Sequence, residues 1–258
     1  MSFLRTLAAA FSMFSRIPMP AVSWDKETLR YVLCAFPLVG AVIGLACWGW
    51  TALCGALSVP DVLRGAGLCT VPVLLTGGIH LDGYCDTWDA LSSHAGPERK
   101  QEILKDPHIG AFAAIHLGLY LLASAALWTA LPVYQAAVVL LCFCLSRSLS
   151  GLAVAMFPLA RESGLAYTFA EAADRRTVAA VLTAVSTGLV IAIGWLGRGL
   201  SGWLAAAAAL LVFVYYRHMA LRQFGGLSGD LAGWFLQTAE LWMLGALELA
   251  AVLGGVFS

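Results

Sequence analysis

Apolar segments of roughly membrane-spanning length dominate this chain of 258 residues. A transmembrane helix needs about 20 consecutive apolar residues. Seven stretches approach this length: 32–57, 63–81, 110–131, 133–157, 178–196, 203–221 and 231–256. Hydrophobic residues make up 60% of the chain and charged residues only 12%, a balance unlike that of water-soluble domains. The sequence therefore predicts an all-α, polytopic integral membrane protein with about seven transmembrane helices.

The first 30 residues form an arm that is too short to cross a bilayer. Residues 3–14 are apolar on one side, are interrupted by Arg5, and are followed by Arg16-Ile17-Pro18. They lack the long uninterrupted core of a signal peptide, so we expect an N-terminal amphipathic helix at the membrane interface. We expect residues 1–258 to form one membrane-embedded domain, with 1–30 as its cytoplasmic or interfacial arm.

Basic residues are distributed unevenly over the predicted loops. Arg64 and Arg198 fall on one side, and Arg147 falls within the fourth segment. The other side holds twelve: Arg5, Arg16, Lys26, Arg30, Arg99, Lys100, Lys105, Arg161, Arg175, Arg176, Arg217 and Arg222. Because Lys and Arg accumulate in cytoplasmic loops, we expect a cytoplasmic N-terminus in the cytoplasmic (inner) membrane. A formal net charge of zero gives no field that would attract nucleic acid.

An acidic run follows the second apolar segment. On a helix, Asp82, Asp86 and Asp89 would lie at positions i, i+4 and i+7 and share one face. Carboxylates at this spacing repel one another, and near a bilayer they need compensation. Ligation by oxygen alone favours magnesium, with manganese or calcium as alternatives. Placement at a helix N-terminus explains one or two acids, but not three across two turns.

Further polar residues are predicted on the same side of the membrane. Asp106 could join the metal, and His108 could contact a phosphate. Arg161 supplies another cation, and Asp230 could cap a helix or hold a second metal. The loop before the last segment contains Gly225, Gly226 and Gly229. Its backbone N–H groups, at the start of a helix, could bind an anion.

Two charged residues fall inside predicted spans. Arg147 needs an anionic partner or an aqueous cavity, and the sequence leaves open whether it binds a phosphate or pairs with Glu240 or an aspartate. Glu240 lies about three turns inside the last segment, by a helical repeat of about 3.6 residues. The histidines outside the loops are expected to be structural or interfacial: His80, His116 and His218.

These residue types suit chemistry on a polyphosphate. Cations would screen and activate the anion, arginines would hold its oxygens, and a hydroxyl or phosphate would attack in line. Asp86, Asp89 and His108 are candidates for the general base. Two other classes stay open. One is a CDP-alcohol phosphotransferase-like enzyme, whose motif has an arginine that residues 84–90 lack. The other is an ion-coupled transporter, whose acids would lie at mid-bilayer.

Several motifs occur in order along the chain: G-G-x-H-L-D-G-x-x-D-x-x-D (77–89), K-D-x-x-I-G-A-F (105–112), S-R (146–147), A-R-E-x-G-L (160–165) and G-G-x-S-G-D-x-x-G (225–233). In these motifs the chain resembles the cobalamin synthase family, the adenosylcobinamide-GDP ribazoletransferases. The resemblance implies a Mg²⁺-dependent catalytic membrane domain on the cytoplasmic face. Its substrates would be adenosylcobinamide-GDP and α-ribazole or α-ribazole phosphate, with release of GMP.

The resemblance also implies roles for individual residues. These are metal ligands at Asp82, Asp86 and Asp89, a further acid at Asp106, phosphate contacts at Arg147 and Arg161, and a second acidic site at Asp230 and Glu240. The oligomeric state stays open, and a homo-oligomer is one alternative.

The chain departs from the family pattern at a few positions. Ala90 and Ala114 stand where glycine is usual, and Gln237 stands where glutamate is usual. Pro107 and His108 replace a usual Ser-Arg pair. These departures put the roles of positions 108 and 237 in question or indicate an altered substrate preference.

Overall fold

The computed structural model describes residues 3–256, which form α-helices joined by loops and a short 3₁₀ turn, without a β-strand in that range. The helices are α1 (Phe3–Phe14), α2 (Lys26–Leu29), α3 (Val32–Ala56), α4 (Asp61–Thr76), α5 (Ile79–Ser92), α6 (Pro97–Ile103), α7 (Ala111–Ala130), α8 (Ala136–Met156), α9 (Leu165–Ala172), α10 (Arg175–Leu196), α11 (Ser201–Phe224) and α12 (Gly229–Val256). The all-α prediction is confirmed.

Within residues 3–256, six helices are long and apolar enough to span a membrane: α3, α7, α8, α10, α11 and α12. A seventh span arises if α4 and α5 are counted together, although they are bent by 96°. The structure thus divides the predicted segment 63–81. Gly77 and Gly78 adopt left-handed backbone angles, with φ of 67° and 81°, which glycine adopts without steric cost. They end α4 and redirect the chain into α5.

Helix α4 runs antiparallel to α7. The Arg64 guanidinium, at the start of α4, donates hydrogen bonds to the carbonyls of Thr129 (3.2 Å) and Leu131 (3.3 Å) at the end of α7. The sixteen residues of α4 extend about 24 Å at about 1.5 Å per residue. This is close to the hydrocarbon thickness of about 30 Å, so α4 covers most of a crossing by itself.

The loops predicted to share one side of the membrane meet at one end of the bundle. Arg30, after α2, pairs with Asp174 before α10 at 3.0 Å. The backbone N–H of Arg16 donates to the Leu75 carbonyl at the end of α4, at 2.7 Å. Lys100 of α6 hydrogen-bonds Gln223 at the end of α11. The compartment that this end faces stays a prediction.

The centre of the bundle is built around the crossing of α3 and α8. A Cβ at Gly44 would lie 2.6 Å from the Cα of Leu140, and one at Gly40 would collide with the backbone of Phe143. Small residues at this spacing let two helices approach closely. Large apolar side chains on the outside, such as Trp195 and Leu211, are exposed, as expected of surfaces that face lipid.

Candidate active site

The acidic helix α5 lies directly against the start of α12. A Cβ at Gly83 would come within 2.7 Å of the Asp230 carbonyl oxygen, and one at Gly233 within 2.8 Å of the His80 carbonyl oxygen. The two glycines therefore let the helix backbones touch. This crossing brings Asp230 into the electrostatic neighbourhood of the α5 acids.

Helix α5 presents its acids as the spacing predicts. The helix is continuous over Ile79–Ser92, so Asp82, Asp86 and Asp89 occupy one face at i, i+4 and i+7. The charges of Asp82, Asp89 and Asp230 all act on the half-buried Asp86. Carboxylates grouped in this way repel one another unless a cation compensates them.

Asp89 has a contact that the sequence did not suggest. Its carboxylate accepts hydrogen bonds from the backbone N–H groups of Gly110 (2.6 Å) and Ala113 (2.8 Å). Gly110 has no side chain with which to cap α7, and a carboxylate at a helix N-terminus is favourable. Asp89 therefore ties the end of α5 to the start of α7. Its assignment as a metal ligand stays a prediction.

An open cleft of about 540 Å³ lies in front of Asp82 and Asp86 and includes His108 in its wall. The His108 Nδ1 lies 2.7 Å from the Asp106 carboxylate, which also accepts a 3.0 Å hydrogen bond from the His108 backbone N–H. These hydrogen bonds lower the pKa of the exposed Asp106. Asp106 thus orients the His108 ring at the edge of the cleft.

A second, mostly apolar cavity of about 270 Å³ is also lined by Asp82. Its walls include Phe14 of α1, Phe36 of α3 and Phe169 of α9, and Asp230 also lines it. Asp82 borders both the cavity and the open cleft. Sequence reasoning missed this cavity because its walls come from helices far apart in the chain.

The Gly-rich loop before α12 holds Arg161 near the acids. A β-bridge joins Leu159 to Leu227, and a Cβ at Gly226 would lie 2.5 Å from the Ala160 nitrogen. This close contact sets the Arg161 guanidinium 3.6 Å from the Asp230 carboxylate. The Gly-rich loop therefore positions an arginine.

The predicted anion-binding glycines have different local roles. Gly225 ends α11 with a φ of 73°, and the Gly226 N–H donates to the Ala220 carbonyl at 3.0 Å. Gly229 begins α12. The N–H of Gly226 is thus already engaged, and anion binding by this loop stays a prediction.

Arg147 and Glu240 meet inside the bundle, away from the cleft. The Arg147 guanidinium, of which only 1% of the side-chain surface is exposed, donates to the Glu240 carboxylate. Ser146 Oγ donates to the same carboxylate at 2.7 Å and accepts from Arg147 at 2.9 Å. Of the alternatives left open by the sequence, these contacts favour the ion pair. Phosphate binding by Arg147 and metal binding by Glu240 stay predictions.

Comparison with known proteins supports the family resemblance that the motifs indicated. A family model described as Cobalamin-5-phosphate synthase matches residues 6–248. The chain belongs to this family. Among similar proteins, the adenosylcobinamide-GDP ribazoletransferase of Lachnoclostridium phytofermentans is 42% identical over 93% of this chain and 92% of its own length. That of Pseudomonas aeruginosa PAO1 is 36% identical over 95% and 98%, and that of Clostridium perfringens SM101 is 31% identical over 92% and 95%. No solved structure matches.

Membership of the cobalamin-5-phosphate synthase family confirms the resemblance and favours it over the phosphotransferase-like and transporter alternatives. Gln237 is the position at which the resemblance implies a glutamate. Gln237 accepts a hydrogen bond from Tyr120 and lines a small cavity beside Glu240. A neutral amide here avoids a second buried acid next to the Arg147–Glu240 pair.

The acids of this family member fit a magnesium ion only in part. Among the described residues, no three His, Cys, Asp or Glu side chains are arranged as a complete metal site. Magnesium is typically held by one or two carboxylates together with water and substrate phosphates. One or two of the carboxylates of Asp82, Asp86 and Asp230, together with water and substrate phosphates, would suit such a partial set, and magnesium binding here stays a prediction.

Proposed function

We propose that this chain joins adenosylcobinamide-GDP to α-ribazole or α-ribazole phosphate and releases GMP, with Mg²⁺ as cofactor, at the cytoplasmic face of the inner membrane. The single observation that carries the proposal is the position of Asp82. It lies between an open cleft with acids and an apolar cavity. A reaction between a charged pyrophosphate and a nucleoside with an apolar base needs a polar cleft and an apolar cavity that meet at the reacting atoms.

The reaction exchanges one phosphorus–oxygen bond for another. A ribose hydroxyl oxygen attacks the phosphorus that carries the corrinoid, and the bond from that phosphorus to the GMP oxygen breaks. GMP leaves with the electron pair of that bond, and the hydroxyl proton passes to a base or to water. The bond that forms and the bond that breaks lie in line.

The chain's own residues would hold the pyrophosphate. Asp82, Asp86 and Asp230 would supply oxygen ligands to the metal, and Arg161 would contact non-bridging oxygens. Bound magnesium would neutralise the pyrophosphate and stabilise the departing phosphate. His108 would contact a phosphate oxygen from the edge of the cleft, since it stands where the family pattern has an arginine and Asp106 orients it.

The experiment uses the full-length protein in liposomes with adenosylcobinamide-GDP, α-ribazole and Mg²⁺. We expect GMP and cobamide to form in equal amounts, to require both substrates, and to stop when a chelator removes the metal. The Asp86→Asn variant should lose most of this activity. Glu102→Gln is the matched control, since Glu102 is an exposed acid on α6 that pairs with Arg99.

Two results would contradict the proposal. The first is an absence of GMP release by wild-type protein that is folded and inserted. The second is GMP release that persists without divalent metal. That result would contradict the role of the metal but not the reaction itself.

A further inference from the structure

We infer that the apolar cavity beneath α1 and α9 holds the benzimidazole-type base of α-ribazole, with the ribose directed toward Asp82 and Asp230. The inference rests on the proposed function, because it locates one of the two substrates. It also gives a role to His80, which the sequence suggested was structural.

Aromatic rings surround the cavity. The Phe14 ring lies 4.1 Å from that of Phe36 and 5.6 Å from that of Phe169, between centroids. The His80 ring lies 5.9 Å from the Phe36 ring. Rings at these separations pack against one another and form an aromatic wall, on which a further aromatic ring can stack. An apolar cavity of about 150 Å³ is enough to bind benzene, so about 270 Å³ accommodates a two-ring base.

His80 provides a polar group that lacks a partner. The side chain lines the cavity and only 6% of its surface is exposed. Its Nε2 has no hydrogen-bond partner among the described residues. Buried polar atoms without partners are costly and uncommon. The Nε2 atom is itself enclosed, so the imidazole would turn toward the base to donate to the ring nitrogen of benzimidazole that does not carry the ribose.

The lining of the cavity favours this occupant over the other parts of the substrates. The corrinoid ring is far larger than the cavity. Guanine has many polar groups, and an apolar wall would leave most of them without partners. Benzimidazole has one free ring nitrogen and otherwise presents apolar surface, which matches a mostly apolar lining whose polar side chains are His80, Ser150 and the two acids at its boundary.

The position of the cavity also fits the reaction. Asp82 and Asp230 lie at its boundary, and Asp82 continues into the open cleft where we place the pyrophosphate. A base held among the aromatic rings would leave its ribose hydroxyls next to these acids. The nucleophile and the pyrophosphate would then approach Asp82 from opposite sides.

Binding to the full-length protein in nanodiscs tests the inference without requiring the reaction. Equilibrium dialysis with α-ribazole, and with benzimidazole alone, would be compared for wild type, His80→Leu and Ala166→Phe. We expect about tenfold weaker binding for His80→Leu, the loss of roughly one buried hydrogen bond. Ala166→Phe, which places a ring inside the cavity from α9, should abolish binding.

The control is His116→Leu. His116 is half-buried on α7 and stacks on Trp88 at 3.9 Å, outside the cavity, so binding should not change. In the reaction, both cavity variants should raise the KM for α-ribazole and leave that for adenosylcobinamide-GDP within about twofold, since a uniform binding contact is lost. Thermal unfolding of each variant establishes that it is folded.

The outcomes separate this inference from the proposed function. If folded His80→Leu and Ala166→Phe bind α-ribazole as wild type does, the inference is overturned. It is also overturned if single-chain phospholipid fills the cavity and α-ribazole does not compete with it. If the cavity binds α-ribazole and His80→Leu weakens it, but wild type releases no GMP, the inference stands and the proposed function fails.

Discussion

Helix α12 contributes to two groups of charged side chains that differ in how their charge is compensated. Inside the bundle, Glu240 meets one guanidinium and one serine hydroxyl, so its charge is matched by the protein. At the end of the bundle lie three acids, Asp82, Asp86 and Asp230, and among the described residues only Asp230 forms an ion pair, with Arg161 at 3.6 Å. The first group stabilises helix packing. The second leaves negative charge that a ligand can neutralise, and this difference supports our proposal that the site lies there.

The comparison predicts that Asp82→Asn reduces activity far more than stability. We expect GMP release to fall about 10³-fold, the scale seen when a preorganised charge contact to the reacting group is removed. Thermal unfolding should be unchanged or slightly higher, because repulsion among the acids decreases. Near-normal release from this variant at saturating Mg²⁺ would contradict the assignment.

Glu240→Gln should do the opposite. Removing one partner of a buried ion pair leaves an uncompensated charge, which costs about 3–5 kcal/mol. We therefore expect a large loss in thermal or denaturant stability, and a loss of activity in proportion to the unfolded fraction. The double variant Arg147→Met, Glu240→Leu should recover much of that stability, because apolar residues can replace a buried pair. If it is stable but inactive, Arg147 or Glu240 contributes to the chemistry.

Sequence patterns predicted what lies close along the chain. The helical spacing of Asp82, Asp86 and Asp89 needed only the repeat of a helix, and the apolar segments needed only composition. The bend after α4 was not predicted, because a pair of glycines such as Gly77-Gly78 can either bend a chain or let helices pack closely.

Contacts between distant segments were not predictable in this way. Asp230 meets α5 only because Gly83 and Gly233 let two helix backbones touch. The cavity next to it depends on α1, α3, α9 and α12 together. The partner of Arg147 could be any of several acids until the packing of α8 against α12 selected Glu240. A single sequence specifies these contacts through packing rather than through spacing.

Asp89 has a structural contact with α7 and a predicted role as a metal ligand. Variants of Asp89 distinguish the two roles. Asp89→Ala removes the acceptor for two N–H groups at the start of α7 and should cost about 1–2 kcal/mol in stability. Asp89→Asn keeps one side-chain oxygen, so its loss of stability should be smaller and most activity should remain. An Asn variant as inactive as Asp82→Asn would instead make Asp89 a metal ligand.

His108 is expected to give a moderate effect. His108→Ala should raise the KM for adenosylcobinamide-GDP about tenfold, the scale of one charge-assisted contact to a phosphate. His108→Arg restores the residue usual in the family pattern and should keep activity near that of wild type. An arginine cannot accept a proton in this pH range, so an inactive His108→Arg variant would identify His108 as the general base instead.

The smallest effect is expected from Asp106, whose carboxylate contacts His108 and whose role as a further acid stays a prediction. Its pKa is lowered by the hydrogen bonds from His108, so the folded form favours ionised Asp106. The resulting stability is present above the usual Asp pKa of about 3.9 and is lost as the pH falls through the lower folded value. Stability and rate should therefore show no transition from Asp106 near neutral pH, and Asp106→Asn should reduce the rate less than His108→Ala does. A pH–rate profile of Asp106→Asn that differs in shape from wild type between about pH 6 and 8, where imidazole titrates, would show that Asp106 also controls the protonation of His108.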